Sequence, residues 1–267
     1  MGVGSCNWVI ADIHGCMKQF MEIINNPEIK ENDIVHIAGD IIDRGPGSAE
    51  MLDWAMENIS EDGRYRMIRG NHEDDLIYEY ESFKRKTVRM EDMDLDCIEE
   101  DLMFQSLPVY ELRCRYGFDE YMARSGKETI GDIITYIRWM KKLRLYERIT
   151  TGNGRKIVLA HAWFKGHMEN GVICPDISES EILCHREIDE QFNLTGEDYQ
   201  PMEDGEVLVH GHTPVIAVNG YRSTEAAPIF RKNSINIDGG CFIGKNRGRL
   251  MAMRLEDNYV IYSGIKK

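Results

Sequence analysis

The chain has 267 residues, 42% hydrophobic and 29% charged, with a formal net charge of −14. Such a composition is ordinary for a globular protein, holds no apolar run near the ~20 residues that span a bilayer, and repels nucleic-acid phosphates, so neither a membrane nor a nucleic-acid partner is expected. Seven cysteines without a Cys-x-x-Cys pair fit neither a disulfide framework nor a zinc knuckle, and the first residues lack a secretory leader, which makes a reducing cytoplasm the expected compartment.

In chain order, short β-rich runs alternate with helical patterns. A strand at Trp8 to Ala11 precedes a helix at Met17 to Ile24, and a strand at Ile34 to Ala38 precedes a helix at Ser48 to Asn58. A third strand, Tyr65 to Ile68, leads into a helix from about Glu73. This is the βαβ rhythm of an α/β domain with a partly parallel sheet. Residues 74–146 are polar and largely helical and read as an insertion capping the sheet; the acidic run EDMDLDCIEED reads as a solvated face. Strands return at Ile157 to Ala160, Val207 to Val209, Ile235 to Ile237, Leu250 to Leu255 and Tyr259 to Tyr262, the last two joined by a Glu256-Asp257-Asn258 turn. No repeat or low-complexity stretch interrupts the chain, and residues 1–267 read as one domain.

Charge collects where these strands end. Asp12 and His14 stand in ADIHG, Asp40 and Asp43 in GDIIDRG, Asn71 and His72 in RGNHE, His161 in VLAHA and His212 in VHGHTP. In open α/β sheets functional groups meet in the crevice beyond the carboxyl ends of strands, so residues distant in sequence can converge there. Carboxylate, imidazole and amide oxygen without thiolate suit a divalent ion such as Mn²⁺, Fe or Zn²⁺. The ligands are too many for one ion. Asp12, His14 and Asp40 can hold a first, and Asn71, His161 and His212 a second, with Asp40 bridging cations roughly 3.5 to 4 Å apart. Two such ions lower the pKa of a shared water and neutralise phosphate oxygens that would repel the resulting hydroxide. Arg44 offers a planar fork for phosphate. Asp43 can orient His72, whose other nitrogen then gives a proton to the departing oxygen.

In this order and at these separations, the motifs resemble the metallophosphoesterase superfamily, specifically phosphoprotein phosphatases of the phage and bacterial type. The match spans residues 9 to about 244. The resemblance implies two mixed β-sheets in a sandwich flanked by helices, a dimetal centre on the six ligands above, and direct attack of a metal-bound water on phosphorus without a phosphoenzyme. It also nominates Arg186, in CHRE, as a second phosphate-binding arginine. Ala11 stands where the family usually has glycine.

The expected activity is therefore hydrolysis of phosphomonoesters, a phosphorylated protein or small phosphoester being the substrate. The alternative is a related group, the symmetrical dinucleoside tetraphosphate hydrolases, which RGPGSAEML is similar to; those relatives usually carry Ala at the position of Asp43 and Asp at that of Glu73. A binding module that kept only the fold would have lost a ligand or the acid, whereas every position is filled here. Other residues read more plainly: His36 as a satisfied core histidine, His210, His167 and His185 as supporting or surface groups, Asp238 as structural support, and Cys16 and Cys241 as small fillers.

Overall fold

The structure, a computed structural model, describes residues 4–91, 95–107, 128–166, 168–169, 172–173, 178–201, 203–218, 226–244 and 247–264. Residues 92–94 and 108–127 of the 74–146 segment, and His167, lie outside them.

Two five-stranded mixed sheets carry the fold. The first contains β1 (Asn7–Ile10), β2 (Ile34–Ile37), β3 (Tyr65–Met67), β11 (Met251–Arg254) and β12 (Val260–Tyr262), in the order β12-β11-β1-β2-β3. The second contains β4 (Tyr146–Thr150), β5 (Lys156–Ala160), β8 (Val207–His210), β9 (Ile229–Phe230) and β10 (Ser234–Asn236), in the order β4-β5-β8-β10-β9. A two-stranded ribbon, β6 (Met168–Glu169) with β7 (Val172–Ile173), stands apart from both.

Side-chain alternation explains the layering. Along β1, Trp8 and Ile10 pack outward with Val35 and Ile37 against helices α1 (Met17–Ile24) and α2 (Ser48–Asn58), while Val9 faces the second sheet. Between the sheets, Val9, Ala11 and Met253 meet Ile157, Leu159, Val209 and Ile235. The far face of the second sheet buries Val158, Ala160 and Leu208 against Trp163, Phe164, Tyr199 and helix α7 (Glu179–Cys184). Strands covered on both faces are near-continuously apolar, as expected of parallel pairing.

Parallel pairing is what positions the site. β1, β2 and β3 run in parallel, as do β5, β8 and β10. Six carboxyl ends thus open on one edge of the sandwich. In the 74–146 segment, α3 (Asn71–Glu91), α4 (Leu95–Glu100), α5 (Leu102–Gln105) and α6 (Ile130–Met140) join the outer helical layer of the first sheet. Tyr80, Phe83, Phe104, Ile133 and Ile137 share one apolar cluster with Trp8 and Ile37. Glu99 ties these helices together, accepting from Tyr80, Lys84 and Arg138 at 3.0, 2.9 and 2.9 Å.

Candidate active site

Each strand end turns sharply on leaving its sheet. Asp12, His14, Asp40, Asp43, Arg44 and His212 all have positive φ, between 47° and 68°. Non-glycine residues rarely adopt this region, and such strain clusters where function requires a fixed geometry. Backbone approach is equally close. A Cβ on Gly70 would lie 2.2 Å from Asp40 Oδ1, and one on Gly211 only 1.9 Å from Asp12 Oδ2. Only glycine lets these turns press amides onto the carboxylates: His72 N donates to Asp40 Oδ1 at 3.0 Å and His212 N to Asp12 Oδ2 at 2.9 Å.

The six expected ligands converge. Asp40 lies at the centre, its Oδ2 lying 3.6 Å from His14 Nε2, 3.4 Å from His161 Nε2 and 3.9 Å from His72 Nε2. His14 Nε2 is also 3.9 Å from Asp12 Oδ1. Asn71 Oδ1 lies 3.0 Å from His161 Nε2 and 2.9 Å from His212 Nδ1. Two donor groups have ion-binding spacing among the described residues, His14 with Asp40 and His72, and Asp40 with His161 and His212. Asp40 belongs to both.

The chemistry of the donors fits a cation pair. Each outer imidazole nitrogen faces a backbone carbonyl: His14 Nδ1 that of Ile42 at 2.9 Å, His161 Nδ1 that of Ala38 at 2.8 Å, His212 Nε2 that of Cys184 at 3.2 Å. A carbonyl only accepts, so the outer nitrogen carries a proton and the inner nitrogen faces the centre, that of His14 toward Arg44 Nη1 at 3.0 Å and those of His161 and His212 toward Asn71 Oδ1. Lone pairs aimed at that oxygen need a positive charge between them. Asp12 Oδ1 and Asp238 Oδ2 are buried without a hydrogen-bond partner. Burial, with Asp238 nearby, raises the Asp12 carboxyl well above the usual range. Burial lowers His14 to about 3, with Arg44 adding to it, and His212 to about 2, with the charge of His161 and then Arg186 adding to it, so both rings stay neutral. His161 goes the other way: burial opposes its charge, but Asp40 outweighs that and pushes it up to about 10. The centre thus attracts positive charge, a proton in metal-free protein or a divalent cation in its place.

Asp43 and His72 form a buried pair, Oδ2 to Nδ1, at 2.7 Å. Arg44 Nη1 is 3.0 Å from His14 Nε2, and its guanidinium lies over the Phe242 ring at 4.6 Å. Arg186 donates to His212 O and Thr213 Oγ1 at 3.3 and 3.1 Å, which brings both arginines to the crevice.

Among the described residues, the other histidines and the cysteine pair have these surroundings. His36 is satisfied by Glu147 Oε2 at 2.9 Å and Asn7 Oδ1 at 3.1 Å. His210 is buried 3.3 Å from Glu187 and outside both donor groups, and exposed His185 rests on Trp163. Cys16 and Cys241 are buried against each other.

Sequence reasoning noted Glu73 only as a difference from related hydrolases and passed over Glu187, and both acids are buried. Glu187 accepts from Asn236 Nδ2 at 2.7 Å, and the same amide donates to Thr213 O, linking the Arg186 segment to the His212 turn. Glu73 accepts three amides, from Asp40, Ile41 and Gly70, at 2.9 Å each, and so braces the turn that carries Asp40. Burial, then Asp40, pushes the Glu73 carboxyl up to about 7. A carboxyl raised on folding contributes stability that is complete below its unfolded value and lost as pH rises through the folded one. Metal-free protein is therefore expected to lose stability as pH rises through about 7, and Glu73→Gln, fixed neutral, to flatten that slope in chemical denaturation. An unchanged slope would show that Glu73 does not carry it.

A centre of this kind on a two-sheet sandwich is that of a metal-dependent phosphoester hydrolase. Over residues 8–237 the chain matches the Metallophos family of calcineurin-like phosphoesterases, and it belongs to that family. It is 25% identical over 263 residues to an asymmetrical bis(5'-nucleosyl)-tetraphosphatase, PrpE, of Anoxybacillus flavithermus, covering 92% of this chain and 89% of that protein. A symmetrical bis(5'-nucleosyl)-tetraphosphatase of Buchnera aphidicola is 36% identical over 78 residues, 29% of this chain and 27% of the relative. The solved structure of a candidate diadenosine tetraphosphatase shares the fold, with a TM-score of 0.57 and 18% identity over 100% of this chain and 96% of that one.

Proposed function

We propose that the protein hydrolyses phosphomonoesters of alcohols, phosphoserine and phosphothreonine in proteins foremost, without a phosphoenzyme. The observation that carries this reading is the buried Asp43–His72 pair. An alkoxide is a poor leaving group and needs a proton as its bond to phosphorus breaks, whereas a nucleotide leaves a polyphosphate as a stable anion and needs that proton far less. Asp12, His14 and Asp40 would hold one divalent cation, and Asn71, His161 and His212 a second, with Asp40 common to both. When bound, Mn²⁺, Fe or Zn²⁺ would supply charge for the phosphate oxygens and acidify a water to near neutral pH. Arg44 and Arg186 orient the phosphate through paired N–H donors. His72 holds a proton at Nε2 and delivers it to the ester oxygen, while Asp43 fixes the ring through Nδ1.

A second reading, dinucleoside tetraphosphate hydrolysis, is favoured by the names of relatives that match most of this chain, asymmetrical bis(5'-nucleosyl)-tetraphosphatases of Anoxybacillus flavithermus and Oceanobacillus iheyensis. Parallel assays with Mn²⁺ separate the two. The expected result is a higher kcat/KM on a phosphoserine peptide than on diadenosine tetraphosphate. Efficient dinucleotide cleavage with negligible phosphate release from peptides would overturn the first reading in favour of the second.

A further inference from the structure

Beside the two arginines the crevice widens into a cavity of about 600 Å³, with Arg44, Arg186 and His212 at its inner end. Beyond them the wall changes character. Ile188, Phe192 and Pro214 make it apolar, and Asp189 and Glu190 add two carboxylates. Phe242, also in the wall, has its face covered by Arg44 at 4.6 Å and meets the His14 ring edge-on at 5.1 Å. Its part is to hold the arginine.

The segment presenting Phe192 is tightly tied. Asp189 Oδ1 accepts the amides of Gln191 and Asn193 at 2.9 Å each, and Phe192 N donates to Asp189 O at 2.9 Å. Phe192 is 43% exposed and has a φ of 64°, a conformation bulky residues rarely take. The turn therefore presents a phenyl ring and two carboxylates together at the edge of the cavity that leads from the arginines.

Resting on the phosphomonoester reading, we infer that this cavity seats the residues flanking the phosphorylated one: a large apolar side chain against Ile188, Phe192 and Pro214, and a lysine or arginine beside Asp189 and Glu190. Phe192 and Glu190 are then specificity-determining residues. The same carboxylates oppose a polyphosphate chain, for which the cavity offers Arg44 and Arg186 as cations among the described residues.

Phosphoserine peptides differing at a single flank test this with the metal-loaded full chain. Wild type is expected to prefer leucine over glycine by roughly tenfold in kcat/KM and lysine over glutamate by about fivefold. Glu190→Lys should abolish or invert the charge preference. Phe192→Asn, whose side chain tolerates positive φ, should remove the apolar preference and leave the charge preference intact. Equal rates on all peptides, or ratios that the two variants share with wild type, overturn the inference while the phosphomonoester reading stands. If no peptide is hydrolysed and diadenosine tetraphosphate is, both fall.

Discussion

Replacing His72 with asparagine is expected to lower turnover of a phosphoserine peptide by roughly 10²-fold or more while leaving bound metal in place. The ring is anchored through Nδ1 to Asp43 at 2.7 Å, and its Nε2 faces the crevice 3.9 Å from Asp40 Oδ2. Because the proton matters most for a poor leaving group, the loss should shrink on para-nitrophenyl phosphate, whose phenolate departs readily. The pH profile supplies an independent sign. Burial opposes the imidazolium of His72, but the bond to Asp43 and the charge of Asp40 outweigh it, so its pKa is raised. A general acid works while protonated, and activity should therefore be held at low pH and lost as pH rises through the raised value. Asp43→Asn keeps an acceptor for Nδ1 but removes the charge that favours the imidazolium, and should move that limb to lower pH. A profile unmoved by Asp43→Asn would mean that another group is the acid. Since His72 also falls within one of the two donor groups, loss of an ion from the asparagine variant would reassign it as a ligand.

For Asp40→Asn the emphasis reverses. The variant should lose affinity for both ions, with activity falling roughly 10⁴-fold or more, on the scale seen when one member of a catalytic unit is removed. Burial opposes the Asp40 charge, but His161, His14 and His72 hold its carboxyl well below the usual range. A single oxygen, Oδ2, faces all three imidazoles at 3.4 to 3.9 Å. An amide has no charge to share, and whichever of its ends turned inward would leave either a donor against the imidazoles or only a weak acceptor. Two ions held as tightly as in wild type would refute the sharing.

Much of this was legible in the sequence because a buried strand announces its own end. An apolar run such as Ile34 to Ala38 followed at once by Asp40, Asp43 and Arg44 has few structural explanations, and the same transition recurs at β1, β3, β5 and β8. Parallel pairing, itself implied by the βαβ rhythm, then brings those ends to one edge. What escaped did so for identifiable reasons. β4 has only Ile149 buried along its exposed edge, so Tyr146 to Thr150 carries no strong period and reads as the tail of a helical segment. Two-residue β9 is too short for any pattern. α3 begins at Asn71, not near Glu73, because the expected ligand itself occupies the first helical position. Glu73 and Glu187 look like ordinary surface acids beside motifs; only the folded chain shows three amides converging on one and Asn236 on the other.

The most direct test is anomalous diffraction from a crystal of the protein grown with Mn²⁺. Two peaks flanking the Asp40 carboxylate, one beside Asp12 and His14 and the other beside Asn71, His161 and His212, are the predicted result. A solitary peak, or two that do not share Asp40, would contradict it.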